Sequence, residues 1–185
     1  MSANEYLSAM VKLIEKGPVE ALDEAVDRIV RAVKAGNAIL VAGNGGSAAT
    51  SNHFTADFGK NVIPGNDGRP RIMSLCSNMS AVTAYANDEG YENAFSRQLT
   101  NGMQEGDILI VISASGNSPS VVEAANMAHE KGGFVIAMTG FTGGKLKQIS
   151  DLCLHAQDSA YETVEDMHSV FCHLIVSCVR QQLQK

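Results

Sequence analysis

Five short apolar runs constrain this chain more than anything else in it. They are AILVA at Ala38 to Ala42, RIMSL at Arg71 to Leu75, DILIVIS at Asp107 to Ser113, FVIAMTG at Phe134 to Gly140 and DLCLH at Asp151 to His155. Each has the length of a strand, and they lack the polar alternation of a half-exposed strand, as expected of strands covered on both faces. Between them lie stretches of helical period. One reaches to about Lys60, one runs through Ala81 to Ala86, one from about Pro119 to Glu130, and a short one sits near Leu146. Such alternation predicts an α/β fold, a three-layer sandwich on a parallel sheet of about five strands. Asn61 to Pro70, NVIPGNDGRP, is the one obvious mobile loop.

Helices are expected at both ends. Leu7, Met10, Val11 and Ile14 recur at helical spacing until Gly17-Pro18 breaks the run. Pro18 suits the first turn of a second helix carrying Leu22, Val26, Ile29 and Val33, which Gly36-Asn37 closes. This N-terminal pair, residues 1–36, must bury its stripes on the sheet or against another subunit. Glu162 to Leu183 reads as a long helix whose Phe171, Leu174, Ile175, Val176, Cys178 and Val179 exceed one packing face. A subunit interface is the natural outlet.

The bulk numbers exclude several classes of function. One domain, 1–185, with 45% apolar residues has ample core for a globular chain. No apolar run is long enough to span a bilayer, and the acidic start is unlike a signal peptide, so a cytoplasmic location and no membrane partner are expected. A net charge of −6 without a basic cluster, and only 5% aromatics, argue against nucleic acid. Cys76, Cys153, Cys172 and Cys178 show no paired spacing for a thiolate–zinc site or a disulfide frame.

The chemistry is concentrated at two turns. After the first run, Gly43 to Asp57 reads GNGGSAATSNHFTAD, placing Asn44, Gly45, Gly46 and Ser47 where a strand hands over to a helix. Free N–H groups there attract an anion; the glycines allow close approach, and Ser47 can cap the helix or donate its hydroxyl. His53 and Asp57 follow at i, i+4 on one face, about 6 Å apart along the axis. They could form a surface ion pair, transfer protons or bind a metal. The third run enters SASGNSPSVVEAA, where Ser113, Ser115 and Ser118 crowd Gly116 and Asn117. Ser118-Pro119 is a helix start signal, but three serines exceed what capping requires. Both turns fall at the carboxyl edge of the sheet, where open α/β folds bind ligands.

These turns, with A-N-D-E-G-Y at Ala86 to Tyr91, T-G…G-G at Thr139 to Gly144 and E-x-x-H-x-x-x-x-H at Glu165 to His173, occur in one order. The ordered set resembles the SIS (sugar isomerase) domain family, within it the phosphoheptose isomerases, over essentially the whole chain. The resemblance implies a single SIS domain of flavodoxin-like architecture with the two N-terminal helices and the long C-terminal one. It implies an aldose–ketose isomerase acting on a phosphorylated sugar, sedoheptulose 7-phosphate to a heptose 7-phosphate, by enediol proton transfer. Substrate would be held by Asn44, Gly45, Gly46, Ser47, Asn87, Asp88, Ser113, Ala114, Ser115, Ser118 and Glu165. Asp57 and His173 would be the catalytic pair. One zinc or other divalent cation per site would sit on His53, Asp57, Glu165 and His173; no nucleotide cofactor is implied.

The chain departs from the family pattern with Asp at 57 for Glu, Glu at 165 for Gln, and Ala at 114 for Thr. The added charge among the ligands suits a hard divalent cation, or zinc with an altered sugar. Glu165 and His173 lie about 12 Å apart along a regular helix, too far to share one ion at donor distances of about 2 Å. Either the helix begins late, only one is a ligand, or the two belong to different subunits. The last is preferred, and with the family resemblance it implies a homotetramer with shared active sites. The alternative is a non-catalytic SIS protein, a sugar-phosphate-binding or replication-initiator-associating regulator. The replication-initiator-associating proteins lack the acid found here at Asp57.

Overall fold

The computed structural model describes residues 1–62 and 69–184. Residues 63–68, most of the loop expected between Asn61 and Pro70, lie outside the described residues. The strands are β1 (Ile39–Gly43), β2 (Ile72–Ser74), β3 (Ile108–Ser113), β4 (Phe134–Thr139) and β5 (Leu152–His155). They form one parallel sheet in the order β2-β1-β3-β4-β5. The helices are α1 (Ala3–Glu15), α2 (Val19–Ala35), α3 (Gly45–Asn61), α4 (Met79–Glu89), α5 (Ser96–Gly102), α6 (Pro119–Glu130), α7 (Leu146–Ile149) and α8 (Tyr161–Leu183).

Alternate residues of each central strand feed two separate cores, as a pleated strand buried on both faces requires. Ile39, Val41, Ile108, Ile110, Ile136 and Met138 face the layer holding α2, α3 and α8. Leu40, Ala42, Leu109, Val111, Val135 and Ala137 face α4, α5, α6 and α7. The expected three-layer sandwich is therefore present. Gly36 ends α2 at φ 77° and donates to the Ala32 and Val33 carbonyls, a turn that glycine adopts without strain.

Several local expectations are corrected. Pro18 occupies the N-cap position of α2, one residue before the first turn. Ser47 does not cap α3; the helix begins at Gly45, with Asn44 as N-cap and Ser47 inside the first turn. The 3-10 turn Tyr91–Asn93 and α5 had no expected counterpart. Both are short, and the buried residues of α5 are only Ser96 and Leu99, too few to show a period.

The apolar surplus of α8 is largely covered within the chain, because Phe171, Cys172, Ile175, Val176 and Val179 are buried in the core with α2 and α3. The outward apolar surface is instead on α1. There Leu7, Val11 and Ile14 are 63%, 56% and 49% exposed. Among the described residues, no helix is long and apolar enough to cross a membrane.

Candidate active site

The order β2-β1-β3 reverses direction between β1 and β3, so the loops leaving these two strands diverge and open a crevice at their carboxyl ends. Both Gly/Ser turns lie there. A cavity of about 130 Å³ brings Asn44 and Ser47 of the first turn together with Ser113, Ala114, Ser115 and Ser118 of the second. Tyr161 and Glu165 of α8 complete its wall.

The hydroxyls of the second turn are arranged to donate. Ser113 Oγ accepts from the Gly116 N–H at 3.2 Å and Ser115 Oγ from the Asn117 N–H at 3.3 Å. Each oxygen is thus held by a backbone donor, leaving its own proton for a ligand. Ser118 is the N-cap of α6, yet its side chain makes no capping bond. Gly116 sits at φ +64°, and a Cβ there would overlap the Gly143 carbonyl oxygen. The second turn is therefore packed directly on the Gly140–Gly144 loop, a fit open only to glycine. Asn117 Oδ1 further ties that loop by accepting from the Lys145 N–H at 3.0 Å.

Gly45 has φ +52°, and Gly46 lies under the Glu165 carboxylate, 2.8 Å from where a Cβ would stand. Glu165 thus closes the cavity from above the first turn. Asn87 and Asp88 do not enter this cavity. They sit at the carboxyl end of α4, exposed, with Asn87 Nδ2 donating to Asp88 Oδ1 at 2.8 Å. Their neighbour Ala86 lines an adjoining apolar cavity of about 430 Å³, with Cys76, Met79, Tyr91 and Phe95. Burial pushes the Cys76 thiol pKa up, and its Sγ faces the Gly43 carbonyl at 3.2 Å.

Further along α3, His53 and Asp57 meet His173 from α8. Asp57 Oδ2 is 3.2 Å from His53 Nε2 and 3.6 Å from His173 Nε2. The two rings stand edge to face with centroids 5.1 Å apart. One donor atom from each residue falls within 4.8 Å of the others. Three donors at this spacing, two imidazoles and a carboxylate, fit a divalent cation with an open coordination position. Glu165 does not join them within one chain. α8 is continuous from Tyr161, so a late start is ruled out and Glu165 stays at the cradles, two turns from His173. His168, between Glu165 and His173 on α8, is buried.

Tyr161 in the cavity wall and two residues that hold the Asn44 amide were given no role from the sequence. Tyr91 donates its hydroxyl to Asn44 Oδ1 at 2.8 Å, and Asn44 Nδ2 donates to Ser120 Oγ at 2.9 Å. Neither has a signal beyond lying near a motif, because the contacts join segments distant in the chain.

A doubly wound sheet with two glycine- and serine-lined turns at its switch point defines an α/β protein built around a small ligand. Comparison makes this specific: the SIS domain model matches residues 4–140. The phosphoheptose isomerase of Aneurinibacillus thermoaerophilus is 34% identical over 97% of this chain and 95% of its own length. The structure of the phosphoheptose isomerase from Neisseria gonorrhoeae superposes with a TM-score of 0.88 at 32% identity, covering 96% of this chain and 94% of that one. That of the Francisella tularensis enzyme gives 0.90 at 26% identity, covering 98% and 100%. The chain belongs to the SIS domain family.

Proposed function

We propose that this chain is a phosphosugar isomerase interconverting sedoheptulose 7-phosphate and a heptose 7-phosphate. The observation that carries the reading is a carboxylate and an imidazole in contact, Asp57 and His173, in a fold whose two cradles suit a phosphate ester. The relatives named phosphoheptose isomerase span nearly the whole chain, which supports the same conclusion.

The reaction moves hydrogen between neighbouring carbons. A base removes a proton from C1 of the ketose while the C2 carbonyl oxygen gains one, and the C1–H electron pair becomes the C1=C2 bond of an enediol. Return of a proton to C2, with loss of the O1 proton, gives the aldose. Asp57 and His173 are the pair of residue types this needs, one at the carbon and one at the oxygens. Ser113, Ser115 and Ser118 would hold the phosphate at the far end, fixing the reacting carbons by remote binding. His53, Asp57 and His173 would hold a divalent cation, zinc in the first instance. When bound, that cation supplies Lewis-acid polarisation of the carbonyl.

The site is completed by a second copy of the chain. His53 lies seven residues beyond Gly46 on α3, about 10 Å along the axis. The trio of one protomer is therefore offset from its own cradles, whereas Glu165 sits over them. The exposed Leu7, Val11 and Ile14 on α1 offer an apolar surface for assembly, and a tetramer is the assembly we propose.

The test is turnover of sedoheptulose 7-phosphate with and without added zinc, alongside metal analysis of the purified protein. Activity that falls on chelation and returns with zinc, with near one ion per chain and less in His53→Ala, is expected. Saturable binding of the sugar phosphate without turnover would overturn the enzymatic reading in favour of a regulator.

A further inference from the structure

Asn44 is the N-cap of α3, and asparagine there ordinarily turns its side-chain oxygen onto the N–H of the second or third helical residue. In this chain the side chain makes no capping bond. Its Oδ1 accepts from the Tyr91 hydroxyl and its Nδ2 donates to Ser120 Oγ. Ser120 is buried in the first turn of α6. The Asn44 amide is thus held on one side by the segment after α4 and on the other by the helix that follows the second cradle. Among the described residues, no group accepts from the N–H of Gly46 or Ser47, the second and third residues of α3.

We propose that Tyr91 and Ser120 are positioning residues for the sugar-phosphate site. By drawing the Asn44 side chain away from the end of α3, they keep the Gly46 and Ser47 N–H groups open to a ligand oxygen. The inference rests on the first cradle receiving the ligand, as proposed above. It also changes the part played by Asn44. Both ends of its amide are engaged within the protein, so its side chain shapes the cradle and its backbone borders the ligand. An N-terminus left uncapped is less stable than a capped one, and the bonds to Tyr91 and Ser120 offset that loss. The Asn44–Ser120 bond also ties the first cradle to the helix that follows the second.

Tyr91 lines the adjoining apolar cavity, so the experiment must separate an action through Asn44 from direct contact with the sugar. Steady-state kinetics, calorimetric binding of sedoheptulose 7-phosphate and thermal melting are measured for the full chain, Tyr91→Phe, Ser120→Ala, Asn44→Ala and Asn44→Ala with Tyr91→Phe. In Tyr91→Phe the freed Oδ1 caps α3. The dissociation constant and KM then rise about tenfold, the worth of one good ligand hydrogen bond, with kcat within about twofold. Tm stays within about 2 °C, because a cap is gained where a tertiary bond is lost. Ser120→Ala moves binding in the same direction. In the Asn44→Ala background, Tyr91→Phe adds less than about twofold, since no side chain remains to redirect.

A lowered Tm with unchanged binding would reduce Tyr91 to a structural residue and overturn the proposal. A tenfold effect persisting in the Asn44→Ala background would do the same, by placing Tyr91 on the ligand. Wild-type protein that binds the sugar without turning it over would sink the isomerase reading alone, because the binding constants still decide this one.

Discussion

The Asp57 carboxylate lies 3.6 Å from the His173 imidazole, Oδ2 to Nε2, joining the carboxyl-terminal part of α3 to the middle of α8. The contact is made within one chain by two helices packed side by side. It sets a carboxylate that accepts beside a ring that can accept or donate, the minimum for moving protons between adjacent carbons. His53 approaches the same carboxylate oxygen at 3.2 Å, so Asp57 is shared between two imidazoles.

Removing either member of this pair should cost about a thousandfold in kcat, within the range expected for a positioned acid or base. Asp57→Asn keeps the shape and removes the charge, and His173→Ala removes the ring. Both residues have substantial solvent exposure, so Tm should change by less than about 2 °C. Turnover of sedoheptulose 7-phosphate checks the first statement and thermal melting the second. Full activity in both variants would refute the assignment.

Gly116→Ala should damage the second cradle and the fold together. The position needs φ +64°, and a methyl group there meets the Gly143 carbonyl oxygen. Strain and displacement together should destabilise by about 2 kcal/mol, or about 6 °C in Tm for a domain of this size. KM for the sugar phosphate should rise as the serine hydroxyls shift. Gly102→Ala is the control, because a Cβ there meets nothing within 4 Å.

His168 should make the fold sensitive to acid. The ring is 1% exposed and its pKa is pushed down to about 4, chiefly by burial, with His155 adding to the shift. Neither ring nitrogen has a hydrogen-bond partner among the described residues; the nearby Thr139 carbonyl opposes the shift without meeting hydrogen-bonding geometry. Below pH 6.5 the unfolded chain takes up a proton that the folded chain refuses until about pH 4, so stability falls as pH drops through that window. The full loss is about 3 kcal/mol. His168→Phe should flatten this part of a stability–pH curve measured by urea unfolding. An unchanged slope would show that other groups carry it.

Much of this architecture was legible in the sequence because its strands are buried on both faces. Ile108 to Ser113 and Phe134 to Thr139 read as strands from apolar content alone, and the Ser118-Pro119 pair marked the start of α6. The short α5 and the turn at Tyr91 were not legible, since neither is long enough to show a period. Placing Asn44 to Ser47 and Ser113 to Ser118 at one edge followed from the topology of parallel sheets. The Tyr91–Asn44–Ser120 bridge could not be read, because side-chain bonds between distant segments leave no local pattern. The apolar content of α8 misled: a helix wrapped by α2, α3 and the sheet needs more than one apolar face without any partner subunit.

Whether cradles and acid–base pair act in cis or across a subunit boundary is decided by mixing inactive variants. Asp57→Asn has intact cradles and a defective trio. Ser113→Ala with Ser118→Ala has the reverse. Each is nearly inactive alone, the first in kcat and the second in kcat/KM. If each site joins the cradles of one protomer to the trio of another, an equal random mixture assembles sites of four kinds, one of them free of defects. About a quarter of wild-type activity should then return on co-refolding. If each chain contains a whole site, every site keeps one defect and activity stays at the level of the variants. Leu7→Glu with Val11→Glu, placed on the exposed face of α1, should abolish both assembly and the recovered activity, with sedimentation reporting the loss of oligomer. Recovery that survives in a monomer would refute the shared site. The offset of about 10 Å along α3 between Gly46 and His53 is the reason to expect recovery.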